Sequence, residues 1–286
     1  MNVRAVAVFI VLLSMLAPLS ARAQSDDWIL DPPEPRVGDI VRLTLPLSGG
    51  ARTGSATFDG KRVPGFQTGG LLNVYFGVDL DMKPGPYEIE YEMPGMKEVV
   101  KGTVPVVIKV REFATESLDV EQKYAALDEE SRLRADSEAK ELDAIWSQGS
   151  PQRLWAKAFV PPAVGPLGSP FGLRRVFNDE PKSPHSGIDI KAPAGADVYA
   201  TNSGKVVLAK ELFFTGNTVV IDHGLGLYTI YAHLSRIDVK TGDDVGRAKV
   251  IGLVGATGRV TGPHLHWAAK ILGARVDPTT LPGLTL

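Results

Sequence analysis

Over long stretches of this 286-residue chain, apolar residues recur at every second position and stop at glycine- or proline-rich turns. That rhythm fits half-buried strands and argues against amphipathic helices in the same stretches. Val41, Leu43, Leu45 and Leu47 alternate with Arg42 and Thr44. Tyr87, Ile89, Tyr91 and Met93 alternate with Glu88, Glu90 and Glu92, and Val104, Val106, Ile108 and Val110 close the series. Asp59-Gly60, between Phe58 and Lys61, reads as a two-residue hairpin turn, and Lys83-Pro84-Gly85-Pro86 as a second break. About seven short strands from Trp28 to Val110 predict an immunoglobulin-like β-sandwich over residues 24–112. It carries no catalytic constellation, which suits a spacer or docking module.

The chain contains no cysteine. Disulfides and thiolate metal ligands are therefore excluded, and His, Asp or Glu must hold any metal. Residues 1–23 read as a secretory signal: Arg4 supplies positive charge, Ala5–Leu19 is apolar, and Ala21-Arg22-Ala23 is an A-x-A cleavage site. The apolar run is short for a membrane span, and no cysteine follows it to carry a lipid. A periplasmic or secreted product is expected, with no membrane attachment after cleavage. Removal of Arg4 and Arg22 takes the formal charge from −2 to −4. Such a chain has no electrostatic footprint for nucleic acid.

Between Thr115 and Gln148 the sequence turns charged and lacks proline and glycine. Leu127, Leu142, Ile145 and Trp146 among acidic and basic residues predict one long or two shorter amphipathic helices, a helical linker over residues 113–150 ended by Gly149, Ser150 and Pro151. It reads as a packed strut, with a regulatory lid as the alternative. From residue 151 to 286 the chain returns to short strands, at Gly204–Leu212, Asn217–Asp222, Leu227–Leu234, Lys249–Val254 and Leu265–Leu272, in a compact, mainly antiparallel β domain.

All five histidines, His185, His223, His233, His264 and His266, fall in this last segment. In Gly262-Pro263-His264-Leu265-His266 an extended strand sends both imidazoles to one side. His185 and Asp189, in Pro184-His185-Ser186-Gly187-Ile188-Asp189, would stand roughly 13 Å apart on a straight strand. They reach one ion only if the backbone bends, and Ser186-Gly187 is where it can. His185, Asp189 and one histidine of the 264/266 pair give three ligands, the number that catalytic zinc sites use. The other histidine of the pair and His233 are the candidates for moving protons. His223, at a strand end in Asp222-His223-Gly224, reads as a hydrogen-bonded turn residue. Tyr231 reads as either a packing or a site-shaping residue, and Asn217 and Arg259 as turn or surface residues that could line a groove.

His185-x-x-x-Asp189, Tyr231-Ala232-His233-Leu234 and Gly262-Pro263-His264-Leu265-His266 together resemble the three motifs of the lysostaphin-type, or LytM-like, zinc metallopeptidases that cleave bacterial cell-wall cross-links. The resemblance runs from about Phe159 to Pro278, and the preceding segments resemble exported Gram-negative members more loosely. It implies one Zn2+ per chain held by His185, Asp189 and His266, with His233 and His264 as the catalytic histidines. It further implies peptidoglycan peptide stems as substrate, cut at the D-alanyl to meso-diaminopimelate bond or, as the second choice, at a glycyl bond. Cell-wall machinery proteins are candidate partners. The opposing expectation is a non-catalytic LytM-like activator of a wall amidase; such regulators typically lack one or more ligands, whereas all five site positions are filled here.

Overall fold

The computed structural model of the chain describes residues 28–118, 127–178, 180–181 and 183–284. The expected signal sequence, residues 1–23, lies outside them. Eight strands come first: β1 (Ile29–Asp31), β2 (Ile40–Pro46), β3 (Ser55–Phe58), β4 (Lys61–Pro64), β5 (Phe66–Thr68), β6 (Leu71–Gly77), β7 (Gly85–Pro94) and β8 (Val99–Ile108). They form two four-stranded antiparallel sheets, in the orders β1-β2-β6-β5 and β4-β3-β7-β8. The alternation supplies the shared core: Val41, Leu43 and Leu45 from one sheet meet Ile89, Val104, Val106 and Ile108 from the other. Asp59 and Gly60 make the β3–β4 turn with φ of 48° and 71°, the left-handed pair a two-residue hairpin requires.

The central strands of the first sheet, β2 and β6, are largely buried on both faces, which the alternation of Arg42 and Thr44 does not suggest. Ile40 and Tyr75, on the face away from the shared core, pack into a second core with Trp155 and Phe159. Tyr75 lies 6.3 Å from Trp155 between ring centres. Ion pairs continue the contact: Arg275 reaches Asp79 at 2.6 Å and Asp81 at 2.7 Å, and Arg111 reaches Asp277 at 2.5 Å.

The helical linker expected over residues 113–150 is shorter than its composition suggests. Thr115–Leu118 is a strand, β9, and the helix α1 spans Glu129–Trp146; residues 119–126 lie outside the described set. Asp128 caps α1 by accepting the Ser131 N–H at 2.7 Å, and Glu129 and Glu130 suit the positive end of the helix.

After α1 come β10 (Arg174–Phe177), β11 (Glu180–Pro181), β12 (Gly187–Ile190), β13 (Asp197–Tyr199), β14 (Gly204–Leu212), β15 (Gly216–Gly224), β16 (Leu227–Ile237), β17 (Asp244–Val245), β18 (Val250–Val254), β19 (Leu265–Ile271) and β20 (Ala274–Val276), then a 3-10 turn at Pro278–Gly283. β9 pairs in parallel with β10, which also pairs with β11. The other nine strands build one antiparallel sheet with the path β12-β19-β16-β15-β14-β17, to which β13, β18 and β20 attach. Trp146, Leu142 and Ile145 seat α1 against Leu208, Leu212, Val220 and Tyr228. Tyr228 pairs with Lys270 and Ala232 with His266, so the helix docks on the sheet face that carries His266. No helix among the described residues is long and apolar enough to cross a membrane.

Candidate metal centre and its histidines

Asp189 in β12 pairs directly with His266 in β19, and His266 pairs on its other side with Ala232 in β16. The register alone thus sets a carboxylate beside an imidazole on one face. His185 joins them because the strand begins only at Gly187, so the chain bends before it. Gly187 is needed for a second reason: a Cβ there would collide with the Trp267 carbonyl and stand 2.8 Å from Ala268 Cβ. Gly187→Ala is expected to push β12 off β19, costing about 1–3 kcal/mol and weakening metal binding, as denaturant melts and metal titration would record.

His185 Nε2 lies 3.1 Å from Asp189 Oδ1 and 2.9 Å from His266 Nδ1, which is 3.2 Å from the same Oδ1. A tetrahedral ion with bonds of about 2.0–2.1 Å has ligand–ligand edges of about 3.3–3.4 Å, so the three atoms already stand near the spacing such an ion requires. The donor chemistry agrees. His185 Nδ1 is 3.0 Å from the Pro170 carbonyl, which can only accept, so in the neutral ring the lone pair of Nε2 faces the cluster. Three lone-pair atoms this close need either a cation or protons between them. Without a cation, burial alone would raise the Asp189 carboxyl, but hydrogen bonds from His185 and His266 outweigh it and hold it well below the ordinary carboxylate range. His266 is itself depressed, chiefly by burial.

The two remaining site histidines stand beside this cluster. His233 is 93% buried, with its ring centre 4.9 Å from that of His264 and 5.9 Å from that of His266. Both rings are anchored alike: His233 Nδ1 lies 2.9 Å from the Thr257 carbonyl and His264 Nδ1 2.9 Å from the Gly262 carbonyl. Each carbonyl fixes the Nδ1–H tautomer and leaves Nε2 as the basic atom. Burial pushes His233 down to about 4, ahead of the smaller upward pull of the Thr257 carbonyl.

The structure therefore brings together His185, Asp189, His233, His264 and His266, and separates the others. His223 is enclosed beneath the sheet, with Nδ1 2.8 Å from the Ser203 carbonyl and Nε2 2.7 Å from Thr229 Oγ1. Tyr231 is a core residue whose hydroxyl accepts the Thr201 N–H at 2.9 Å. Asn217 donates to the Leu234 carbonyl at 3.0 Å and braces the loop. Arg259 is exposed on the loop between Thr257 and His264.

Residues 183–278 match the sequence profile of peptidase family M23. A crystal structure of a putative M23 peptidase from Pseudomonas aeruginosa is 33% identical, aligns over 87% of this chain and 96% of its own, and superposes with a TM-score of 0.70. The chain belongs to peptidase family M23. Among M23 relatives, the peptidoglycan DD-endopeptidase ShyA of Vibrio cholerae is 47% identical over 112 residues, 39% of this chain and 26% of its own length. The DD-carboxypeptidase/endopeptidase Mpg of Neisseria meningitidis is 42% identical over 115 residues, 40% of this chain and again 26% of its own. The match to each thus spans about a quarter of that relative. The M23 profile ends at Pro278 and contains all five clustered residues.

Three features of the site escape a reading of the sequence. His233 sits in the left-handed region at φ 63°, at a register shift between β15 and β16 that turns its side chain out of the strand alternation. Its N–H donates to the Thr215 carbonyl at 2.8 Å, from a loop with no motif of its own. Pro166–Pro170 runs alongside β12, where Asp189 donates its N–H to the Ser169 carbonyl at 3.0 Å.

Proposed function

We propose that this protein is an exported zinc metalloendopeptidase that hydrolyses peptide cross-links of bacterial peptidoglycan. The observation that carries this reading is the pair of carbonyl-anchored histidines, His233 and His264, beside a three-residue cluster with ligand spacing. A binding-only module needs neither. His185 Nε2, Asp189 Oδ1 and His266 Nδ1 would hold the zinc, whose fit rests on their spacing and lone pairs. When bound, zinc supplies Lewis acidity, activating water as a nucleophile and polarising the scissile carbonyl.

The chain's own residues manage the protons. With Nδ1 committed to a carbonyl, Nε2 of His233 and of His264 are the atoms that accept the nucleophile's proton and return one to the leaving amine. The neutral state enforced on His233 by burial suits a base. The D-alanyl to meso-diaminopimelate bond is our choice of the bond cleaved, with a glycyl bond second; the names of the relatives, DD-endopeptidases of peptidoglycan, support the first no further than that it joins two D-centres. Residues 24–112 are read as an immunoglobulin-like spacer, residues 113–150 as the connection and residues 151–286 as the peptidase domain, acting in the periplasm or outside the cell.

The test is muropeptide release from purified sacculi by zinc-loaded protein, chelated protein and His266→Ala. Cross-linked dimers should disappear only with the zinc-loaded protein, and the masses released identify the bond. One equivalent of bound zinc with no bond cut, even after residues 24–150 are deleted, would remove the enzyme reading and leave that of an amidase activator.

A further inference from the structure

The wall that carries His233 and His264 is built from two crossing loops. The Thr215 carbonyl holds the His233 N–H, the Thr257 carbonyl faces His233 Nδ1, and Arg259 N–H donates to the Phe214 carbonyl at 3.0 Å. The Arg259 guanidinium lies 5.9 Å from the ring centre of Phe213 and 6.0 Å from that of Phe214, and the two rings meet edge to face at 5.0 Å. Helix α1 fixes this arrangement from behind. Phe213 N–H donates to Glu138 Oε2 at 2.7 Å, Arg134 pairs with Glu138 at 2.8 Å, and the Arg134 guanidinium stands 5.8 Å from the Phe213 ring. Phe214 nonetheless remains 47% exposed.

Across the site, Lys191 follows Ile190, whose partner in β19 is Leu265, the residue between His264 and His266. Lys191 is exposed, and its stem runs beside Asp189: a Cβ placed on Gly168 would stand 3.3 Å from Asp189 Cβ and from Lys191 Cε. Arg259 and Lys191 are thus exposed cations on the two segments that border the cluster, one on the loop whose Thr257 carbonyl faces His233 and one just past Asp189. Cations placed so act on an anionic group locally rather than steering it from a distance.

We propose that Arg259 is a specificity-determining residue that receives a free carboxylate of the substrate's peptide stem, with Lys191 adding a second positive charge. This rests on the endopeptidase reading above. A guanidinium presents a planar fork that matches a carboxylate with two parallel hydrogen bonds, and stacking on Phe213 and Phe214 pre-orders its long side chain, so less rotamer freedom is lost on binding. Arg259 belongs to neither the ligand set nor the histidine pair, so its contribution falls on substrate binding.

The experiment compares two synthetic cross-linked stem peptides, one with its free carboxylates intact and one with them converted to carboxamides, cleaved by the zinc-loaded full chain, R259K and R259Q. The unsubstituted protein should favour the free acid in kcat/KM by about tenfold, the size of one charge-assisted hydrogen bond. R259Q should bring the two substrates to parity through a higher KM for the free acid with kcat nearly unchanged, and R259K should fall between. The inference is overturned if the unsubstituted protein cuts both substrates equally, or if R259Q keeps the preference. It is equally overturned if R259Q lowers kcat alike on both, which would make Arg259 a brace for the His233 loop. Failure of the zinc-loaded protein to cut either substrate would instead strike the endopeptidase reading, and this inference with it.

Discussion

His233→Ala is expected to lower kcat by about 100- to 10,000-fold, the range for loss of a positioned acid–base group, while the protein still binds one zinc per chain. The separation of the two effects follows from the geometry. His185, Asp189 and His266 lie within 3.2 Å of one another through their ligand atoms, whereas His233 meets this cluster only at ring distance. Its own bonds run outward, N–H to the Thr215 carbonyl and Nδ1 to the Thr257 carbonyl. Removing the imidazole therefore leaves the ligand set intact and takes away the neutral Nε2. The backbone gives a second, independent signature. A side chain at φ 63° costs about 1–2 kcal/mol that glycine does not pay. His233→Gly should thus be as inactive as His233→Ala yet more stable by about 1 kcal/mol. Turnover, metal content and denaturant melts of the two variants check both parts; zinc lost along with activity would move His233 into the ligand set.

The contrast between His233 and its neighbours shows what a sequence conveys. His185 and Asp189 could be paired in advance only on the condition of a bend, which Ser186-Gly187 permits, and His264 and His266 because a two-residue spacing in a strand fixes a face. The strands Gly204–Leu212 and Leu265–Ile271 were legible for the same reason: alternation is a local pattern. The bulge at His233 was not, since a register shift belongs to two strands at once and only the partner, β15, reveals it. Thr115–Leu118 was hidden likewise. Its neighbours are charged and helix-compatible, but its pairing is with Arg174–Phe177, far away in sequence. The polar side of β2 misled in the opposite direction: Thr44 is 91% buried with its hydroxyl donating to Asn73 Oδ1, and on the same face Ile40 and Tyr75 pack with Trp155, a distant segment that nothing near Thr44 announces.

Acidification from pH 6.5 to 4 should cost the metal-free fold about 3 kcal/mol through His223 alone. Burial pushes this imidazole down to about 4 against an ordinary 6.5, only partly offset by the Ser203 carbonyl. The sign follows from proton counts. Above pH 6.5 the ring is neutral in both the folded and unfolded chain and exacts no penalty. Below it the unfolded chain takes up a proton that the folded chain refuses until about pH 4. Stability therefore falls across that window and then levels, by about 1.36 kcal/mol for each tenfold loss of proton affinity on folding. The network requires the neutral ring. Its hydrogen bonds suit a neutral ring: Thr201 N–H donates to the Tyr231 hydroxyl, the Tyr231 and Thr229 hydroxyls bond each other at 2.9 Å, Thr229 Oγ1 stands 2.7 Å from His223 Nε2, and His223 Nδ1–H donates to the Ser203 carbonyl. With Nδ1 committed as a donor, Nε2 is the acceptor of the neutral ring; a proton there takes that acceptor away inside a pocket that Phe159 closes edge-on at 5.3 Å. His223→Gln cannot titrate there. At pH 7 it should be less stable by about 1–3 kcal/mol for its weaker bonds, and the difference should close as the pH falls to 4. Denaturant unfolding of both metal-free proteins at pH 7, 5.5 and 4 decides it, since His233 titrates equally in each and cancels. Parallel losses in the two proteins would place the acid sensitivity elsewhere than in His223.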